Sequence, residues 1–330
     1  MKIGVMGAGA IGCYVGGRLA AAGVDVSFVG RASLAAEVAR HGLRLTDYRG
    51  ADLAVRAPSF ASAPEALADR DVVLVTVKGG DTAAVGAALA PVLRDGARVV
   101  SFQNGVNNPA VLRAALPGRR VLAGMVPFNV VRREGGHFHQ GTSGTLAVER
   151  ADSDDLVAAL RAAGLPTEQH DDMRGVLWGK LLVNLNNSVN ALANIPIKEM
   201  LGQRDYRRVM AACMREGLAA VEKAGIRPVV DVPVPARAVP WLLTLPDALF
   251  SVVARRLLTV DPQARSSMWD DLQRGRKTEV DALNGEIVRL AAEVGTPAPV
   301  NAAIVALVHA AEGRGSPGLS GAALRARLLV

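Results

Sequence analysis

The chain has 330 residues, half of them hydrophobic and 21% charged, which suits a globular protein with sizeable cores and room for two domains. Its formal charge of +7 comes without long basic runs, the densest clusters being Arg255-Arg256 and Arg274 to Lys277; this favours small anionic ligands and argues against nucleic acid, because no basic stripe interleaves with aromatics. No apolar run reaches membrane-spanning length, the chain opens directly on a core strand with no room for a signal peptide, and two lone cysteines, Cys13 and Cys213, make neither a disulfide framework nor a metal site. A cytoplasmic, metal-free protein is expected.

Lys2 to Met6 reads as an apolar strand, Gly7-Ala8-Gly9-Ala10-Ile11-Gly12 as a turn with G-x-G-x-x-G spacing, and Ile11 to Ala22 as a buried helix. In that setting Gly7 permits a tight turn, Gly9 lets backbone approach a pyrophosphate, and Gly12 allows close helix–strand packing. The pyrophosphate would lie on the free N–H groups of the helix start. A glycine-rich turn without a ligand is the bland alternative. After the second strand, Val24 to Val29, the chain continues Gly30-Arg31. An NAD site usually has Asp or Glu here, about 20 residues beyond the glycines, to bond the ribose 2′-hydroxyl. Here a guanidinium fork is offered instead and glycine leaves room, which suits a 2′-phosphate and hence NADPH. Arg31 as a solvated loop residue is the competing reading.

Further strands are predicted at Val72 to Val77, Arg98 to Phe102 and Arg120 to Gly124, with a helix over Thr82 to Leu93, and this alternation specifies a doubly wound parallel sheet. Residues 127–150 change to an alternating pattern with a Gly135-Gly136 hairpin turn, predicted as an antiparallel extension of the sheet. A helix at Asp154 to Ala163 and an edge strand around Pro166 to His170 complete the first half.

Beyond Asp172 the pattern is helical: Met173–Leu192, Glu199–Ala224, Pro240–Leu258, Ser267–Gln273, Glu279–Val294 and Asn301–Glu312, with Pro246 kinking or splitting the third and a proline-rich loop over Pro228 to Pro240. Lys180, Asn184, Asn187 and Ser188 fall on one face of the first of these helices. A lysine and amides on one stripe of an apolar helix fit a binding site; a solvated lysine fits a surface. Gly275 can break a helix, and Thr278 with Asp281 resembles a capping box restarting it, with Glu279 in the first turn. There a carboxylate already has a structural role on the helix dipole, as Ser267 has as an N-cap ahead of Asp270. Lys78 and Asn104 each follow a parallel strand, at the edge where open sheets bind ligands, although turn chemistry explains both as well.

Taken together, GAGAIG, VTVK, QNG, WGKLLVN and SSMWDDLQRGRKTEVDALNG resemble the ketopantoate reductases (2-dehydropantoate 2-reductases), from residue 1 to about residue 312. The resemblance implies an α/β protein: an N-terminal Rossmann-type doubly wound NADP-binding domain, 1–171, and an all-helical substrate and catalytic domain, 172–330, with the site in a cleft between them. It implies NADPH as hydride donor and a role in pantothenate biosynthesis. By motif, Lys180 matches the catalytic lysine, Glu279 the active-site glutamate, and Asn104 the asparagine near substrate and nicotinamide. Asn184 and Ser267 match substrate-binding positions, and Lys78 a lysine near the cofactor. Ser188 and Ala264 stand where asparagines often serve the substrate, so substrate discrimination is expected to be altered there, with Asn187 able to compensate.

The expected activity is reduction of 2-dehydropantoate to pantoate by hydride transfer to its C2 carbonyl. The alternatives are reduction of another 2-oxoacid, or the reverse oxidation of a hydroxyacid, and a non-catalytic NADP(H) sensor. The helical half can support a homodimer, although no heptad seam specifies one.

Overall fold

The computed structural model describes residues 1–230, 234–253 and 263–330. The chain divides into two compact units, Met1–Met173 and Arg174–Val330.

The first unit holds β1 (Lys2–Met6), α1 (Ala10–Ala21), β2 (Asp25–Val29), α2 (Ala32–His41), β3 (Leu43–Asp47), β4 (Asp52–Val55), β5 (Ser59–Ala61), β6 (Val72–Val75), α3 (Thr82–Leu89), β7 (Arg98–Ser101), α4 (Asn108–Ala115), β8 (Arg120–Met125), β9 (Val130–Arg132), β10 (His137–Gln140), β11 (Leu146–Glu149), α5 (Asp154–Ala162) and β12 (Thr167–His170). Eight strands form one sheet in the order β12-β11-β8-β7-β6-β1-β2-β5. The run from β8 to β5 is parallel, and β11 joins β8 antiparallel. Parallel strands covered on both faces need apolar residues at successive positions, and β6 is built that way. Its Val72 and Leu74 enter the core containing Tyr14, Phe28 and Leu160, while Val73 and Val75 enter the opposite one with Leu89, Val99 and Leu112.

The antiparallel extension expected over 127–150 is divided between two sheets. Only β11 extends the main sheet; β9 and β10 join β3 and β4 in a second sheet of order β4-β3-β10-β9. The Gly135-Gly136 turn does close the β9–β10 hairpin, with φ of 70° and 68°. Gly136 then crosses against Gly42, whose carbonyl any Cβ at 136 would strike, and its own carbonyl accepts Arg44 N–H at 3.0 Å. That crossing aligns β10 parallel to β3 and draws the hairpin away from the main sheet.

The second unit is mainly helical: α6 (Met173–Asn184), α7 (Asn186–Ala193), α8 (Ile197–Gly202), α9 (Arg204–Lys223), α10 (Val239–Leu243), α11 (Asp247–Val253), α12 (Ser267–Gln273), a π-helical turn at Asp281–Gly285, α13 (Glu286–Val294), α14 (Pro299–Ala311) and α15 (Gly321–Leu328). Helix α9 is the axis against which α7, α8, α10, α13, α14 and α15 pack. At Gly217 of α9 a Cβ would meet Leu182 at 2.6 Å and Ile287 at 3.0 Å, so the missing side chain admits both. The helix expected over Glu199–Ala224 is interrupted at extended Gln203. The one expected over Pro240–Leu258 splits at Pro246, and its end, with Arg255-Arg256, lies outside the described residues, as does part of the 228–240 loop. Fully buried Arg207 secures that split: its guanidinium donates to Leu243 O at 2.9 Å and Leu245 O at 2.8 Å, pairs with Asp247, and lies 4.0 Å over the Phe250 ring. Among the described residues no helix is long and apolar enough to cross a membrane.

Candidate active site

Three glycines of the first turn have three different physical reasons. Gly7 has φ +96°, and a Cβ there would lie 2.7 Å from Val77 N, so both conformation and space demand glycine. At Gly12 a Cβ would meet Thr76 Oγ1 at 2.5 Å and Gly7 O at 2.7 Å. Gly9 is otherwise: its backbone is extended, and a Cβ would meet only Gly7 O, at 3.8 Å. Internal packing therefore leaves Gly9 unexplained, whereas the approach of a pyrophosphate would require it. Beside it, Ala10, Ile11 and Gly12 bring first-turn amides that no carbonyl within α1 can satisfy, and Gly9 has no side chain to cap them. These residues fit a dinucleotide.

The turn is tied to its neighbours. Gly7 N–H and Ala8 N–H both donate to Val29 O, at 3.0 and 2.8 Å, which fixes the end of β2 and Gly30-Arg31 beside it. Arg31 is the N-cap of α2, is exposed, and makes no ion pair among the described residues. Gly30 does not simply leave open room, since a Cβ there would meet Ala8 at 2.9 Å and Phe60 at 3.2 Å. Strand β6 ends at Val75, two residues earlier than expected. Thr76 then donates its hydroxyl to Gly7 O at 2.7 Å, a contact the sequence reading missed. Exposed Lys78 caps the 3₁₀ turn Gly79–Asp81.

A buried polar network joins the Lys78 loop to the Asn104 loop. The Gln103 amide donates to Val77 O at 3.1 Å and to Thr82 Oγ1 at 2.7 Å, and accepts from Ser101 at 3.0 Å. Thr82 Oγ1 lies 2.8 Å from Asn108 Oδ1, and Asn108 donates to Asn104 O at 2.6 Å. Gly105, with φ +94°, turns the chain after Asn104. Glycine turn, Lys78 and half-buried Asn104 thus gather at the carboxyl ends of β1, β6 and β7, where open sheets bind ligands.

In the second unit, half-buried Lys180 sits on α6 among buried Val176, Leu177, Trp178, Leu181 and Leu182. The helix is anchored by a crossing segment: Val229 N–H donates to Gly175 O at 3.0 Å. A Cβ on Gly179 would meet the Val229 carbonyl carbon at 2.5 Å. The residue before Lys180 must therefore be glycine, a reason that helical periodicity does not reveal.

Lys180 and Asn184 lie on α6 and Asn187 and Ser188 on α7; Leu185 between them keeps helical backbone angles, φ −58° and ψ −19°, and donates its N–H to Leu181 O at 3.1 Å. Asn184, at the last turn of α6, is 8% exposed. Ser188 is fully buried and donates to Leu185 O at 3.0 Å. This i−3 back-bond engages its proton and leaves the hydroxyl oxygen able to accept. Asn187 contributes its carbonyl, accepting Ser266 Oγ at 3.1 Å.

The cap of α12 is Ser266, whose Oγ accepts Trp269 N–H at 3.1 Å, and not Ser267 as expected. Ser267 is left exposed at the first helical position, with its hydroxyl uncommitted among the described residues. Asn190, also missed, is fully buried; it accepts Ser266 N–H at 2.9 Å and donates to Ile195 O at 2.8 Å. Gly275, with φ +61°, breaks the chain after α12 as expected.

Half-buried Glu279 follows in a bend before the π-helical turn. The expected capping box is absent: Thr278 directs both its N–H and its hydroxyl to Glu312 Oε1, each at 2.8 Å. Among the described residues no group of His, Cys, Asp and Glu could hold a metal ion. Both cysteines are buried, which pushes their thiols up and away from reactivity.

Residues 3–153 match the family described as Ketopantoate reductase PanE/ApbA, and residues 172–312 match Ketopantoate reductase PanE/ApbA C terminal. The chain is 31% identical over 318 residues to 2-dehydropantoate 2-reductase of Archaeoglobus fulgidus, covering 94% of this chain and 98% of the relative. It is similar, with a TM-score of 0.82 and 34% identity, to a crystal structure of a PanE/ApbA family ketopantoate reductase from Ralstonia eutropha JMP134, over 95% of this chain and 99% of that one. A ternary structure of D-mandelate dehydrogenase with NADH and anilino(oxo)acetate shares the fold, with a TM-score of 0.80 at 20% identity and coverage of 95% and 99%. An α/β parallel-sheet unit followed by a mainly helical one, with both family patterns in that order, places the chain among oxidoreductases: it belongs to the ketopantoate reductase PanE/ApbA family.

Proposed function

We propose that this protein is an NADPH-dependent 2-oxoacid reductase, with 2-dehydropantoate as substrate and pantoate as product, as pantothenate biosynthesis requires. The reduced nicotinamide, when bound, supplies a hydride for the substrate's C2 carbonyl. The Gly7 to Gly12 turn holds the pyrophosphate, and Arg31 the 2′-phosphate, which a carboxylate at that place would repel. Lys78 and Asn104 line the nicotinamide end, with Asn104 orienting the carbonyl. Lys180 donates a hydrogen bond from Nζ to the carbonyl oxygen and passes its proton there as negative charge develops. Glu279 orients that ammonium or accepts from the substrate hydroxyl. Ser267 and Asn184 hold the carboxylate and the rest of the substrate.

The observation that carries the proposal is Lys180: a cation held half-buried within an apolar stretch of helix, braced by backbone crossing at Gly175 and Gly179. Its test is Lys180→Ala, expected to lower kcat by about 100-fold or more while moving the NADPH KM little. Wild-type turnover by that variant rejects the assignment, and turnover on no 2-oxoacid by the wild type would leave an NADP(H)-binding sensor. A second reading, another branched 2-oxoacid, is favoured by Ser188 and Ala264, a hydroxyl and a methyl at positions where asparagine amides often serve the substrate's terminal hydroxyl. Comparing kcat/KM for 2-dehydropantoate against other branched 2-oxoacids, with NADPH and NADH in parallel, separates the two.

A further inference from the structure

Glu279 is flanked by two residues that a closed ring of hydrogen bonds ties to the end of α14. On one side Thr278 gives N–H and hydroxyl to Glu312 Oε1, each at 2.8 Å. On the other, Asp281 Oδ1 lies 2.9 Å from His309 Nε2. His309 Nδ1, 3.2 Å from Glu312 Oε2, closes the ring. The backbone between them is irregular: Gly285 N–H reaches Val280 O at 3.0 Å across a π-helical turn, a geometry that regular helix packing does not hold in place.

We infer that His309 is a positioning residue for Glu279, acting as a cationic clasp that holds both flanks of the glutamate's bend. The inference rests on Glu279 belonging to the active site. A neutral imidazole has one N–H and holds one carboxylate as donor; an imidazolium has two and holds both. Protonation of a group on α14 therefore decides whether the ring is closed. The two carboxylates favour the charged form, holding His309 above the ordinary imidazole range. Burial pulls Glu312 upward, but the Thr278 N–H and hydroxyl and His309 together keep it low. The charged groups around His309 support one net sign. On the bend it meets Asp281, and on its own helix Glu312. From α13, Arg289 is taken up by Glu286 and Glu293, and from α15 Arg325 is paired with Asp205. From α9, Glu216 is bound at the far end of α14, by the N–H groups of Val300 and Asn301. Helix α7 has no titratable residue.

The test is steady-state kinetics of His309→Ala, His309→Arg and Glu279→Gln across pH with 2-dehydropantoate and NADPH. Expected for His309→Ala is a fall in kcat of about tenfold with the NADPH KM unchanged, as for a misplaced rather than missing group. Arginine keeps two N–H arms at every pH, so His309→Arg should recover kcat to within about twofold and lack an alkaline decline that the wild type shows above the ordinary imidazole value. If Glu279→Gln loses activity while His309→Ala keeps wild-type kcat and pH profile, the clasp is overturned and Glu279 stands. A slow His309→Ala that arginine does not recover overturns it too. Wild-type kcat in Glu279→Gln removes the underlying reading of Glu279, and the clasp with it.

Discussion

Thr76 donates its hydroxyl to the carbonyl of Gly7 at 2.7 Å, and the same oxygen would stand 2.5 Å from any Cβ at Gly12. One threonine on the strand next door therefore both closes the glycine turn and sets how near the helix can approach. Gly9, between them in sequence, is bound by neither constraint.

This difference separates folding from binding. Gly12→Ala should lose stability by about 1–3 kcal/mol through overpacking. Gly9→Ala should melt like the wild type yet raise the NADPH KM by about tenfold or more, because its methyl stands where pyrophosphate approaches. Thermal melts beside cofactor titrations check both, and a Gly9→Ala protein that binds NADPH normally would deny the turn its ligand.

In the proposed function Arg31 is the residue that selects the coenzyme. Removing its guanidinium in Arg31→Ala should weaken NADPH by about 10- to 100-fold, the value of one charge-assisted contact, and leave NADH nearly unchanged. The ratio of kcat/KM for the two coenzymes reads this directly. Equal losses for both would place Arg31 away from the 2′-phosphate.

At Gly179 the carbonyl of Val229 occupies the space that a side chain needs. Gly179→Ala must displace that segment, costing about 1–3 kcal/mol, and should lower kcat by shifting neighbouring Lys180. Melting temperature and kcat should fall together; a stable, fully active variant would show that the crossing does not brace the lysine.

Arg18 and Asp47 form an enclosed pair at 3.3 Å, with side chains 9% and 10% exposed. Burial pushes the Asp47 carboxyl up, but the Ala51 and Arg49 N–H groups and Arg18 outweigh it, and the group ends below its ordinary value. A depressed carboxylate adds stability above its unfolded value, about 3.9, and loses it as pH falls through the lower folded value. Asp47→Asn should therefore destabilise by about 3 kcal/mol at neutral pH, with the deficit shrinking below about pH 4. Denaturant unfolding at pH 7 and pH 3 measures it, and an equal deficit at both would refute the linkage.

What was legible in sequence was whatever depends on neighbours along the chain. The apolar run Val72–Val75, the Gly7 to Gly12 spacing and Arg31 at the end of β2 are all local, and they were found. What was hidden depends on distant partners. Strands β3 and β4 are short and half-exposed, and β3 is paired with β10, some ninety positions later, so no local period announces them. The Gln103–Thr82–Asn108 network joins three elements and looks like ordinary loop polarity. Ser266 rather than Ser267 caps α12 because Asn190, seventy-six positions earlier, fixes its N–H.

Arg207 has a consequence for how this protein can change. Proline at 246 removes a backbone donor and forces the chain to bend, and a bend of that kind ordinarily invites motion. Here a sequestered cation donates to the Leu243 and Leu245 carbonyls on the approach to the bend, making the corner a fixed joint. An apolar residue of equal bulk would fill the volume and strand two carbonyls, and a smaller one would add a void. Substitution of Arg207 is therefore expected to loosen the corner that Pro246 introduces.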